Sequence, residues 1–203
     1  MDKMKLKGLI VVGVAFAMSV TGSGIAETAS AHGFMSSPGG RAYLGSKYFT
    51  QDTGSRPVNE NIGLVQYEPQ SIEALKNTFI YGKIASAGIG HFSQLDEQNE
   101  SRWYKTNINS GPLTVKWRLT AAHRTSTWDY YMTKPTWNKN QPLNILNFEK
   151  IASIDDHGLI PSKNVQQQIN VPTDRKGYHI ILAVWNIQDT KNAFYQVADV
   201  NVK

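Results

Sequence analysis

Apolar and polar residues alternate with a period of two through the middle and C-terminal parts of the chain. In residues 114–119, Val115, Trp117 and Leu119 share one face while Thr114, Lys116 and Arg118 share the other. In residues 127–134, Trp128, Tyr130 and Met132 alternate with Asp129, Tyr131 and Thr133. Residues 165–171 set Val165, Ile169 and Val171 against Gln166, Gln168 and Asn170, and residues 194–202 keep Phe194, Ala198, Val200 and Val202 in phase. Residues 178–185 are almost continuously apolar, the pattern of a strand buried on both faces. Period two with aromatic and β-branched enrichment is the signature of strands. Turn-forming stretches at 109–112, 134–135, 155–158 and 172–174 separate them. Short strands at this spacing predict an all-β sandwich.

The alternation breaks between residues 47 and 103, a length uncommon for a plain connection. Residues 71–76 read as a short helix with Ser71 at its N-cap, and residues 93–102 as a further helical turn. The chain is thus expected to be one domain, a sandwich with a large, partly helical insertion near its start.

The N-terminus has a separate logic. Lys3, Lys5 and Lys7 precede an uncharged, mostly apolar run over residues 8–20, and a polar stretch ends in Ala29, Ser30 and Ala31. A charged start, an apolar middle and an A-x-A ending form a secretory signal peptide over residues 1–31. The apolar run is too short to span a bilayer comfortably, and no later stretch approaches the length. Cleavage leaves 172 of the 203 residues as a single catalytic domain, residues 32–203, and moves the formal charge from +5 to +4. A secreted, extracellular monomer without membrane association is expected.

Composition removes several chemistries. The chain has no cysteine, which excludes disulfides, thiolate metal sites and thiol nucleophiles. Its basic residues are scattered rather than clustered, so no nucleic-acid partner is expected. No clear pair of carboxylates marks a glycoside hydrolase.

Cleavage after Ala31 exposes His32 as the first residue. An N-terminal histidine offers its α-amine and its Nδ1 to one metal ion. The amine has a pKa of roughly 7.7–8.0, so binding near neutrality displaces little proton. One further imidazole completes a planar set of three nitrogens, which suits copper best among common divalent metals. The second imidazole has four candidates. His179 lies in an apolar strand and reads as a core residue; His157 sits in a polar turn; His91 lies in the irregular region. His123 occupies the loop between two predicted strands and leads only slightly by spacing.

Four segments then carry a family resemblance. His32-Gly33 with Arg41-Ala42-Tyr43, residues 65–71 (Val-Gln-Tyr-Glu-Pro-Gln-Ser), residues 117–123 (Trp-Arg-Leu-Thr-Ala-Ala-His) and residues 192–196 (Asn-Ala-Phe-Tyr-Gln) resemble, in order, the bacterial lytic polysaccharide monooxygenases, auxiliary activity family 10, long called chitin-binding proteins. The resemblance implies a fibronectin- or immunoglobulin-like β-sandwich whose insertion builds much of the binding face. It implies one copper ion held by His32 and His123 in a histidine brace. Ala121 matches the small residue near the metal's axial face, Phe194 the axial aromatic, and Glu73 an acidic residue that positions oxygen species and water. Tyr67, Glu68 and Gln70 match a flat substrate-facing surface, with Asp189 and Asn192 as further polar contacts. The implied activity is oxidative cleavage of a crystalline polysaccharide, with O2 or H2O2 and an external electron donor. Chitin is the preferred substrate, because an N-acetyl group needs polar partners of the kind residues 67–70 offer; cellulose stays possible.

Each assignment has a plainer reading. Phe194 is in phase with core residues, Glu73 on a short helix is a solvated acid, and Tyr67 is a lone exposed aromatic. Two other functions stay open at this level: a chitin-binding adhesin without turnover, and a secreted copper carrier with an N-terminal histidine.

Overall fold

The computed structural model of the protein describes residues 31–203. The expected signal peptide lies outside the described residues except for Ala31. The described residues form nine strands: β1 (His32–Ser37), β2 (Glu73–Leu75), β3 (Thr106–Ile108), β4 (Gly111–Ala121), β5 (Thr125–Thr133), β6 (Phe148–Asp155), β7 (Asn164–Val171), β8 (Gly177–Ile187) and β9 (Asn192–Val202). Two short helices, α1 (Arg41–Leu44) and α2 (Lys47–Thr53), follow β1.

The strands make two sheets. One has the order β1-β4-β7, and the other β2-β9-β8-β5-β6, with β3 pairing β9 in parallel. The inner faces enclose one core, in which Trp117 and Leu119 meet Trp128, Tyr130, Trp185, Phe194 and Ala198. The Trp128 and Trp185 rings stack at 5.1 Å and 5°. The continuously apolar β8 is buried on both faces as its sequence predicts: Ile181, Ala183 and Trp185 enter this inner core, while Ile180, Leu182 and Val184 enter a second one. The second core lies on the outer face of the larger sheet. Val65, Ile72, Ile84, Phe92, Leu95 and Trp103 of the insertion cover Leu182, Val184, Tyr195 and Val197 there. The insertion is therefore a third layer, not a loose loop. Buried Arg41 fastens it. Its guanidinium bonds Asp199 of β9 at 2.8 and 2.9 Å and donates to the Leu95 carbonyl at 2.8 Å.

Some expectations need correction. Residues 71–76 are not a helix. Glu73–Leu75 is a strand, because the edge of β9 takes up its backbone, with Glu73 opposite Phe194 and Leu75 opposite Asn192. Tertiary pairing overrides the weak local helix signal, because the open edge of β9 supplies backbone partners at once. The helical turn placed at 93–102 is a 3-10 helix at Gly90–Asp96. Strands β1, β3 and β6 lacked a clear alternating signal. In β6 a register shift opposite Tyr130 and Tyr131 breaks the alternation. In β1, Phe34 and Met35 are adjacent and both buried, each in a different cluster.

Candidate metal centre and its face

The sheet order brings one end of the sandwich together. β1 begins there, β4 ends there at Ala121, and β8 ends where β9 begins. Antiparallel pairing sets His32 opposite Ala121, two residues before His123. Two imidazoles 91 positions apart in the chain thus come to the same end of the sandwich. The His32 ring lies 6.1 Å from the buried Phe194 ring, which packs in turn on Trp185 at 5.1 Å.

Backbone contacts hold both histidines. The Thr120 hydroxyl reaches the His32 carbonyl at 3.5 Å. Gly33 has no room for a side chain: a Cβ there would stand 2.5 Å from Leu119 Cδ2 and 3.2 Å from the Trp185 ring. On the other side, the buried Thr125 hydroxyl donates to the His123 carbonyl at 3.0 Å and accepts the Trp185 indole N–H at 2.7 Å. The tryptophan core therefore reaches the loop that presents His123 through a single hydroxyl. Gly33 and Thr120 enter the sequence reading only as motif residues and Thr125 not at all, since nothing in a pairing pattern marks a hydroxyl or a glycine as a support for a distant ring.

Asp189 sits closer to the chemistry than its sequence position suggests. Its Oδ1 is 3.1 Å from His123 Nε2, with the His123 side chain 14% and the Asp189 side chain 44% exposed. Asn192 donates to Glu73 Oε1 at 2.8 Å, so Glu73 is a half-buried, hydrogen-bonded strand residue rather than a solvated helical acid. Tyr67 is 59% exposed. Glu68 is half-buried beside it. Gln70 is half-buried as well: its Oε1 is buried with no hydrogen-bond partner among the described residues, and its carbonyl receives the Gly33 N–H at 3.3 Å. The loop carrying Tyr67 is thus tied to β1 one residue beyond His32.

The other histidines fall where the pattern put them. His179 is buried, with Nδ1 2.9 Å from the Thr133 hydroxyl, and burial holds its pKa below the ordinary value. His157 is exposed in a turn at φ 52°. His91 is exposed and packs edge-on against Phe92.

Among the described residues no three His, Asp or Glu side chains form a metal-binding group. With His32 and His123 as ligands, two imidazoles would leave a metal short of donors unless a third came from the backbone. The α-amine that cleavage before His32 would free is such a donor. Nitrogen donors without a thiolate suit copper.

The geometry brings two histidines to one end of a β-sandwich, and comparisons with known proteins define the family. Residues 32–200 match the family described as lytic polysaccharide mono-oxygenase, cellulose-degrading; the match opens on His32. A protein of Enterococcus faecalis named lytic chitin monooxygenase is 56% identical over 198 residues, 97% of this chain and 99% of that one. The GlcNAc-binding protein A of Shewanella oneidensis is 43% identical over 194 residues, but the match spans only 39% of its length. Among solved structures, a photoreduced polysaccharide monooxygenase is 59% identical with a TM-score of 0.81, covering 85% of this chain and 100% of that one. A Bacillus amyloliquefaciens relative in complex with Cu(I) is 43% identical with a TM-score of 0.76, covering 85% and 100%. The chain belongs to the lytic polysaccharide monooxygenase family. It is accordingly a copper-dependent enzyme of oxidative polysaccharide cleavage, acting on an insoluble polysaccharide.

Proposed function

We propose that this protein is a secreted chitin monooxygenase whose active domain, residues 32–203, begins at His32 once residues 1–31 are removed. The observation that carries the reading is the register that sets His32 opposite Ala121 and so brings it to the same end of the sandwich as His123. In this reading the His32 amine and Nδ1 and the His123 imidazole hold one copper ion. Copper supplies one-electron and oxygen chemistry that no side chain can perform.

The protein's own residues do the rest. Phe194 fills the space beside His32 with an apolar ring and keeps water and polar ligands out of it. Ala121, across from His32, leaves room that a larger side chain would take. Glu73, held by Asn192 and paired opposite Phe194, offers a carboxylate that can hold a proton or a water. Asp189 orients the His123 ring through its 3.1 Å contact at Nε2. Tyr67 offers a ring on which a sugar can stack, and Glu68 gives an acceptor for the amide of an N-acetyl group. Gln70 acts by anchoring this loop to β1. Electrons come from an external donor, and the protein works as a monomer.

Chitin is favoured over cellulose because the Enterococcus relative named for chitin matches nearly end to end. The family description names cellulose, so both polymers belong in the test. The experiment is release of oxidised oligosaccharides from β-chitin and from cellulose by copper-loaded protein with ascorbate, against His123→Ala. Release from β-chitin alone, abolished by the substitution, is the expected result. Release from cellulose alone contradicts the substrate; no release from either by the copper-loaded wild type contradicts the function.

Among the described residues no helix is long and apolar enough to cross a membrane. The charged start and A-x-A ending of residues 1–31 support export. The extracellular location of insoluble polysaccharide supports it independently.

A further inference from the structure

The end of the sandwich that carries the two histidines has two flanks. In the larger sheet, β2 and β6 are the opposite edges, with β9, β8 and β5 between them. At about 4.8 Å per strand, four spacings put those edges about 19 Å apart. The β2 edge has the Tyr67 loop as its neighbour. Beyond the end of β6, the chain turns through His157 and Gly158 and then exposes Leu159 and Ile160, each at 65%.

These two aliphatic side chains are not on a loose loop. The Thr125 N–H donates to the Leu159 carbonyl at 2.9 Å, and the Gly158 N–H donates to the Thr125 carbonyl at 2.8 Å. The Leu119 N–H donates to the Lys163 carbonyl at 2.7 Å, closing the other end of the turn. The turn is thus pinned to β5 two residues from His123, and to β4 two residues from Ala121. A Cβ on Gly158 would lie 3.3 Å from the Arg124 guanidinium and 3.4 Å from Gln188, so the segment continues sideways from the loops that carry His123 and Asp189. Leu159 and Ile160 are adjacent, equally exposed and held on a turn fixed by three backbone hydrogen bonds, beside the loop that carries His123.

We infer that Leu159 and Ile160 form a second polysaccharide contact, on the far side of the histidine pair from Tyr67. The inference rests on the proposed polysaccharide-facing surface and extends it. Sugar rings in a crystalline chain present C–H groups as well as hydroxyls, and an aliphatic pair packs on the former. Exposed Arg124 and Lys163 flank it as donors to ring hydroxyls or amide carbonyls. Two contacts on opposite sides of the metal site hold a chain across it rather than beside it.

The test is partition onto β-chitin of copper-loaded Leu159→Ser/Ile160→Ser, with thermal unfolding and copper stoichiometry measured on the same preparations. Tyr67→Ala is the companion variant. Leu146→Ser is the control: Leu146 is 74% exposed but precedes β6, at the opposite end of the sandwich. The double variant is expected to bind roughly ten-fold more weakly, with copper stoichiometry unchanged and Leu146→Ser binding like wild type. Wild-type binding by the double variant, with Tyr67→Ala weakened, overturns this inference and leaves the proposed function standing. Equal weakening by Leu146→Ser also overturns it, as general stickiness. So does a wild-type dimer that the double variant dissociates without a change in chitin partition, which assigns the turn to a second copy of the chain. Unchanged binding by both the double variant and Tyr67→Ala overturns the surface as a whole.

Discussion

The two faces of the six-stranded sheet are buried by different means. The inner face meets another sheet, and its core is built from regular alternation: Trp117 and Leu119 across from Trp128, Tyr130 and Trp185. The outer face meets the insertion, where short helices, 3-10 turns and loops deliver Val65, Ile72, Phe92 and Trp103 without any periodicity. The first solution fixes strand register, and register is what brings His32 and His123 to the same end of the sandwich. The second leaves backbone free of pairing constraints, and it carries Tyr67 and Glu68. Geometry that must be exact is placed on strands, and a surface shaped for a partner is placed on the irregular layer.

Breaking the regular side is expected to have the largest effect. Trp128→Ala removes a fully buried ring that stacks on Trp185 and donates to Asp156, and should cost about 3–5 kcal/mol of unfolding free energy in a denaturant titration. Copper affinity should fall with it, because the same core supports Thr125 and His123. Loosening the irregular side comes next. Arg41→Ala strands buried Asp199 without its cation and should cost about 3 kcal/mol, while the paired change Arg41→Met/Asp199→Leu should recover much of the loss. If the single and double variants unfold alike, the ion pair is not what fastens the insertion.

A smaller change sharpens the link between register and metal. Gly33→Ala forces a Cβ against Leu119 and the Trp185 ring beside His32, at a cost of about 2 kcal/mol. Its informative readout is copper affinity, which should drop more than a variant of equal instability elsewhere in the core.

The smallest effect concerns pH. Burial lowers the pKa of His179, so the folded protein binds its proton less readily than the unfolded chain. That contribution to stability is complete above the unfolded value of about 6.5 and is lost as pH falls through and below it. Thermal stability should decline on acidification from pH 7 to pH 5, and His179→Gln should flatten that part of the profile; an identical decline in the variant would remove His179 as its cause.

The contrast between the layers also explains what was legible in the sequence. Strands β4, β5, β7, β8 and β9 were readable because a half-buried strand must alternate and a doubly buried one cannot. β6 was hidden by its bulge, and β1 by burial on two sides within six residues. The insertion's outline was visible as a gap in the pattern, but its content was not. Residues 71–76 have a plausible helix start, and only the waiting edge of β9 makes them a strand. At the site, His32 was marked by the cleavage signal alone. By spacing His123 leads the other histidines only slightly, and the family resemblance is what singles it out. The Asp189 contact to His123 had no local signal, because it depends on the β8–β9 turn folding back over a loop 66 residues earlier.

The proposed copper site requires His32 to be the first residue of the active chain. The direct measurement is the intact mass and copper stoichiometry of the secreted protein, with a variant carrying one extra alanine before His32 as comparison. A mass corresponding to residues 32–203, one tightly bound copper per chain, and markedly weaker binding by the extended variant are predicted. A mature chain that starts elsewhere, or an extended variant that binds copper as tightly as the wild type, contradicts the account.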